Sequence, residues 1–127
     1  SIWLDIELPS EQRRNAYVKK GIGFHYFFTR KVMLTASAQV YIYFPGGLGT
    51  LNEFFEILTL IQTGKMSPVP MVCIGKDFWE PLDAWIKSSL THEYKTVSPE
   101  DTDLYTIVNT AEEAFAIIKE SKERKYF

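Results

Sequence analysis

Between Ser1 and Leu8 the residues Ile2, Leu4, Ile6 and Leu8 alternate with Trp3, Asp5 and Glu7, the period of a strand with one buried face. From Pro9 to about Gly23 the alternation is lost, and Glu11, Arg13, Arg14, Lys19 and Lys20, with two glycines, read as an exposed loop. Its basic residues form either a solvated surface or a cover over a polyanionic ligand. Phe24, Phe27, Phe28, Leu34 and Ala38 recur at helical spacing and predict a helix over 24–38. The run Val40-Tyr41-Ile42-Tyr43-Phe44 predicts a short strand buried in a parallel sheet. After Pro45 to Thr50 the chain is helical again over 51–63, with Leu51, Phe54, Phe55, Leu58 and Ile61 on the face that packs against the sheet. Val69 to Ile74 is a further strand, ending at Gly75. Asp77 and Glu80 then open a helix in a capping-box arrangement, with Phe78, Leu82, Trp85 and Ile86 as its buried stripe. Tyr105 to Val108 reads as the last strand. Thr110 with Glu113 caps the last helix, whose apolar face is Ala111, Ala114, Phe115 and Ile118. Lys119, Lys122, Arg124 and Lys125 suit the negative end of that helix.

Strand and helix alternate four times, which predicts an α/β fold with a doubly wound parallel sheet. The length of 127 residues fits one domain, 1–127, and contains no repeat or linker that would divide it. Four strands make a small sheet for this class, so the chain reads as part of a larger unit. The apolar share of 46% is that of a globular chain, and runs such as Met71 to Ile74 are far too short to span a bilayer as a helix. A formal charge of −2 excludes a nucleic-acid binder driven by net charge, though not a local basic patch. The single cysteine, Cys73, rules out an internal disulfide and points to a reducing, cytoplasmic setting. The chain opens on Ser1 with no starting Met, and composition leaves open whether it is whole or the back part of something longer.

The segment richest in chemistry is Tyr41-Ile-Tyr-Phe-Pro45-Gly46-Gly47-Leu48-Gly49-Thr50-Leu-Asn-Glu53. A buried strand feeds a glycine-rich loop that opens a helix. Glycines allow positive φ and let backbone N–H groups approach an anion, and the first helical turn leaves its N–H donors unpaired. Thr50 would add a hydroxyl at or near the N-cap. This arrangement is a phosphate cradle, or else a tight turn in which the glycines only satisfy geometry. No Gly-Lys-Ser/Thr follows, so it is not the lysine-bearing P-loop. Glu53, Glu56 and Thr59 share the other side of the helix with Ile57 and Leu60. The carboxylates there are placed either to act on a sugar or to rim a subunit interface. Arg30 and Lys31 stand in an otherwise apolar helix, where they either snorkel to solvent or, for Arg30, present a planar fork to phosphate or ribose oxygens. His25 reads as a packed or capping residue and His92 as exposed loop. With a lone buried cysteine they offer no metal-ligand spacing.

Phe28-Thr-Arg30-Lys31-Val-Met-Leu, Pro45-Gly-Gly-Leu-Gly-Thr50-Leu-Asn-Glu53 and Leu58-Thr59-Leu-Ile-Gln62-Thr-Gly64 closely resemble the "Lonely guy" (LOG) family, which shares the motif PGGxGTxxE and has long carried a lysine-decarboxylase label. Pro70 to Gly75, Phe78-Trp79 and Asp103 to Ile107 also resemble its bacterial members. The resemblance implies a Rossmann-like fold of three layers, assembled as homodimers or larger homo-oligomers. It implies hydrolysis of the N-glycosidic bond of a nucleoside 5′-monophosphate, a cytokinin nucleotide or AMP, to free base and ribose 5-phosphate. By motif, Arg30 and Glu53 would be the catalytic pair, and Lys31, Gly46, Gly47, Leu48, Gly49, Thr50 and Thr59 would bind substrate. No cofactor, metal, nucleic acid or membrane is implied, and no residue stands out as a pyridoxal-phosphate lysine. Two other readings are a non-catalytic nucleotide-binding or sensing module and a single-strand DNA-binding relative; the acidic balance disfavours the second. Members of the family begin with further strands and a nucleotide loop ahead of the segment that opens here. The chain is therefore expected to be a fragment, the ordered part of a longer protein, or a truncated relative.

Overall fold

The computed structural model describes residues 2–6, 20–24 and 27–125. The chain divides into two compact units, Ser1–Ala38 and Gln39–Phe127. In the first, β1 (Ile2–Ile6) pairs in parallel with β2 (Lys20–Phe24), with Ile2 opposite Lys20 and Ile6 opposite Phe24. The helix α1 (Phe27–Ser37) follows. The strand β2 corrects the sequence expectation of loop to Gly23 and of a helix from Phe24. Lys20-Gly-Ile-Gly-Phe carries two glycines in five positions, a composition depleted in strands, and only its pairing with β1 makes it one. The basic stretch over 9–19 and His25 lie outside the described residues.

The second unit is built on a three-stranded parallel sheet in the order β3 (Tyr41–Tyr43), β4 (Met71–Ile74), β5 (Tyr105–Val108). The helices α2 (Leu48–Gln62), α3 (Lys76–Trp85) and α4 (Ala111–Glu120) complete it. A π-helix over Ile86–Glu93 and a 3-10 helix over Pro99–Asp103 link α3 to β5. The period-two alternation of side chains along β4 divides the core between the two faces. Met71 and Cys73 join Tyr43, Phe54, Ile57, Trp79 and Tyr105 in the larger cluster. Val72 packs with Val108 and Ala114 in the smaller one. Helices therefore cover both faces of the sheet, α2 and α3 on one and α4 on the other, which is the layered α/β, Rossmann-like arrangement.

Five strands are described where the pattern predicted four, and three helix faces are re-centred. In α2, Ile57 belongs to the buried face with Phe54 and Ile61. In α3, Trp79 is 1% exposed while Trp85 is 52% exposed, and the helix starts from Gly75 with no side-chain cap in place of Asp77. In α4, Ala114 is buried and Phe115 is 65% exposed. The Thr110 cap is as expected: its hydroxyl accepts from the Glu113 N–H at 3.2 Å.

Candidate active site

The glycine loop leaves β3 at its carboxyl end, the edge of a parallel sheet where ligands of this fold class bind. Gly75, at the end of β4, holds this edge together. Its N–H donates to the Val108 carbonyl at 2.8 Å. Its φ of +106° suits glycine alone, and a Cβ there would meet Pro45 Cγ at 3.1 Å. Pro45 thus rests against the backbone of the neighbouring strand end, and this packing fixes the start of the loop.

The loop is shorter than the sequence implied. Gly47 is the N-cap of α2, with φ −97° and ψ −158°, and Leu48, Gly49 and Thr50 form the first helical turn. The first bond of the helix runs from the Leu51 N–H to the Gly47 carbonyl at 3.2 Å. Among the described residues no side chain caps the turn, so its N–H groups remain directed outward at the positive end of the helix dipole. Thr50 is inside the helix, not at its cap. Its side chain folds back over Gly46, where a Cβ would fall inside contact distance of Thr50 Oγ1 and 2.9 Å from its Cβ.

The three motif glycines have different reasons to be glycine. Among the described residues the only glycines with positive φ are Gly64 and Gly75, so none of Gly46, Gly47 and Gly49 is required by backbone conformation. Gly46 is required by Thr50. Among the described residues a Cβ on Gly47 or Gly49 meets nothing within 4 Å. Both face open space, beside the uncapped N–H groups and the apolar side chain of Leu48, which is 85% exposed.

Glu53 stands one turn beyond Gly49 on the same side of α2, followed by Glu56 and Leu60 along that side. Glu53 and Glu56 are half-buried. The Tyr43 hydroxyl donates to the Glu53 main-chain carbonyl at 3.4 Å. The Tyr43 ring packs edge-on to Phe54 and Trp79, with centroids at 5.4 and 6.3 Å. Burial, with Tyr41, Cys73, Glu53 and Glu56 nearby, pushes its phenol well above the ordinary tyrosine range, so it remains a neutral donor. Sequence reasoning assigns Tyr43 no role beyond its strand; its inward position two residues before Pro45 is the available signal.

Arg30 and Lys31 are on α1, in the first unit. The Arg30 side chain lies outside what the structure describes, and Lys31 is half-buried, its carbonyl accepting from the Thr35 hydroxyl at 2.8 Å. Thr59 is on α2 about 120° around the helix from Glu53. Its hydroxyl donates to the Phe55 carbonyl at 2.6 Å, and the residue lines a cavity of about 160 Å³. His92 is exposed in the π-helix, and Cys73 is fully buried with its thiol pushed up to about 12 by burial. Among the described residues no group of three or more His, Cys, Asp or Glu side chains is placed to hold a metal ion. Nor is any described helix long and apolar enough to cross a membrane.

Comparison with known proteins bears on this geometry. The chain is similar to a cytokinin riboside 5′-monophosphate phosphoribohydrolase of Rhodococcoides fascians, 25% identical over 95 residues. That match takes in 75% of this chain and 47% of the relative, so the chain spans about half the length of the protein it resembles. A family model described as "Possible lysine decarboxylase" matches residues 1–118, from β1 through the glycine loop to α4. By that match the chain belongs to the LOG, or "possible lysine decarboxylase", family.

Proposed function

We propose that the chain, as a single Rossmann-like domain 1–127, is the part of a nucleoside 5′-monophosphate phosphoribohydrolase that holds the 5′-phosphate and supplies the catalytic carboxylate. The observation that carries the reading is the pair Gly47 and Gly49. Neither backbone conformation nor packing among the described residues calls for glycine there, and a ligand that must come close to the N–H groups of the first turn of α2 does. Gly46 seats Thr50, and Leu48 gives the cradle an apolar rim. Lys31 and Thr59 are the further substrate contacts. The name of the Rhodococcoides relative supports the same reaction, with a cytokinin-type nucleotide or AMP as substrate.

Cleaving the ribosyl–base bond passes through an oxocarbenium-like state with positive charge on the sugar. A phosphate fixed at the N-terminus of α2 places the ribose along the side of the helix that carries Glu53, one turn on. The Glu53 carboxylate then stabilises the developing cation or orients the attacking water, and Arg30 positions phosphate and ribose. Phosphate binding, remote from the bond that breaks, supplies the energy for this orientation. Self-association into a homodimer or larger homo-oligomer, in a reducing cytoplasm, belongs to the same reading.

Incubation with AMP and a set of other nucleoside 5′-monophosphates, followed by detection of free base, tests it. Base release is expected, and Glu53→Gln is expected to lower it at least about a hundredfold while AMP binding persists. Turnover unchanged by Glu53→Gln would remove the carboxylate from the mechanism. AMP binding without base release in the unaltered protein would instead mark a nucleotide-binding module.

A further inference from the structure

Glu56 is a carboxylate that neither phosphate binding nor the cleavage step uses. It lies on α2 about 20° around the helix from Gly49, and Glu53 lies about 40° to the other side of the same line. The residues of α2 that face the sheet are Phe54, Ile57 and Ile61. Glu56 is at least about 100° around the helix from each of them and is nevertheless half-buried. A carboxylate only accepts hydrogen bonds, and it is costly to take out of water unless donors reach it. A ligand that settles along this side of α2 must therefore bring an N–H or O–H to Glu56.

Along the helix axis Glu56 is seven residues, or about 10.5 Å, beyond Gly49. Helical side chains lean toward the N-terminus, which brings the Glu56 carboxylate back by part of a turn. A nucleoside 5′-monophosphate has a comparable reach. About ten bonds of about 1.5 Å, bent at the sugar, separate its phosphorus from the far edge of a two-ring base. With the phosphate at the uncapped first turn of α2 and the ribose beside Glu53, the base comes to lie over the turn that carries Glu56.

We propose that Glu56 reads the base, accepting an N–H from an amino group at its far edge such as adenine carries. The inference rests on the phosphoribohydrolase reading for the placement of phosphate and ribose, and adds to it the residue that selects the base. A purine with a carbonyl at that edge sets an oxygen against the carboxylate and is disfavoured. An amino nitrogen that bears one substituent keeps one N–H and is still accepted.

AMP and purine riboside 5′-monophosphate differ only in that hydrogen replaces the amino group, so the pair isolates this contact. Calorimetric titration of the whole chain is expected to give AMP an affinity about tenfold higher, the value of one hydrogen bond to a charged acceptor. Glu56→Ala is expected to remove that preference, weakening AMP about tenfold and leaving the amine-free nucleotide within about twofold. Glu56→Gln, whose amide oxygen still accepts, is expected to restore part of it; amide NMR spectra check that both variants fold. Equal affinities of the unaltered chain for the two nucleotides overturn the proposal. So does a loss in Glu56→Ala that is the same for both, the mark of a merely structural role, and so does no binding of AMP at millimolar concentration. Release of free base from AMP is measured alongside. A preference for AMP that depends on Glu56, without base release, sustains recognition by Glu56 and overturns the phosphoribohydrolase reading; base release without the preference does the reverse.

Discussion

A glycine is held in a structure by a positive φ, by a neighbour that leaves no room for a Cβ, or by something outside the chain that must approach the backbone. The motif divides along these lines, and substitutions read the division directly. Gly46→Ala drives a methyl into the Thr50 side chain and is expected to cost about 1–3 kcal/mol by thermal or urea unfolding. Gly49→Ala meets nothing among the described residues and replaces glycine by a better helix former, so stability is expected to hold or to rise by up to about 1 kcal/mol. Its affinity for AMP is nevertheless expected to fall about tenfold or more, because the methyl occupies the space above the N–H groups. A Gly49→Ala protein that binds AMP as well as the unaltered one would return that glycine to mere turn geometry. The sequence made the cradle legible because strand, glycines and helix follow one another directly. It could not show that positive φ is absent from all three motif glycines, since composition is the same whichever constraint selects glycine.

At the scale of elements, what was readable depended on how much of the signal is local. β4 and α4 stood out because Met-Val-Cys-Ile is continuously apolar and because the Thr110–Glu113 cap lies within four residues. β2 did not, because its pairing with β1 is set by residues distant in sequence. α3 lies between these cases. Phe78, Leu82, Trp85 and Ile86 and the true core residue Trp79 fall within about 120° of the helix circumference, so periodicity finds the face but not its centre. The sheet and the underlying Phe54 decide it: Trp79 packs on Phe54 with centroids at 5.1 Å, and Trp85 turns to solvent. Trp79→Ala is expected to cost about 3–5 kcal/mol, whereas Trp85→Ala should change stability by no more than about 0.5 kcal/mol. Urea unfolding of the two variants checks this, and similar losses for both would place the helix face where periodicity alone put it.

The molecule as a whole carries a pH dependence in its larger core layer. Tyr43, Cys73 and Tyr105 all lie in the cluster beneath α2 and α3, and burial is the leading cause that raises each of their pKa values. For Tyr105 the hydrogen bond to Asp83 adds to it. Each is an acid that is neutral when protonated, so above its ordinary pKa the unfolded chain gives up the proton while the folded chain keeps it. The folded state then binds more protons, and stability falls as pH rises. The contribution is fully present below the ordinary value of 9.0 for Cys73 and 10.0 for the two tyrosines. It is lost progressively as pH climbs toward the raised folded values, which for Cys73 is about 12. Each group adds a slope of up to about 1.4 kcal/mol per pH unit. Melting temperatures are therefore expected to begin falling near pH 9, by the thiol alone, and to fall more steeply past pH 10, where the phenols join it. Cys73→Val removes the first step and should delay the onset by about one pH unit. An onset unchanged by that substitution would mean that exposed groups, and not the buried layer, set the alkaline limit of the fold.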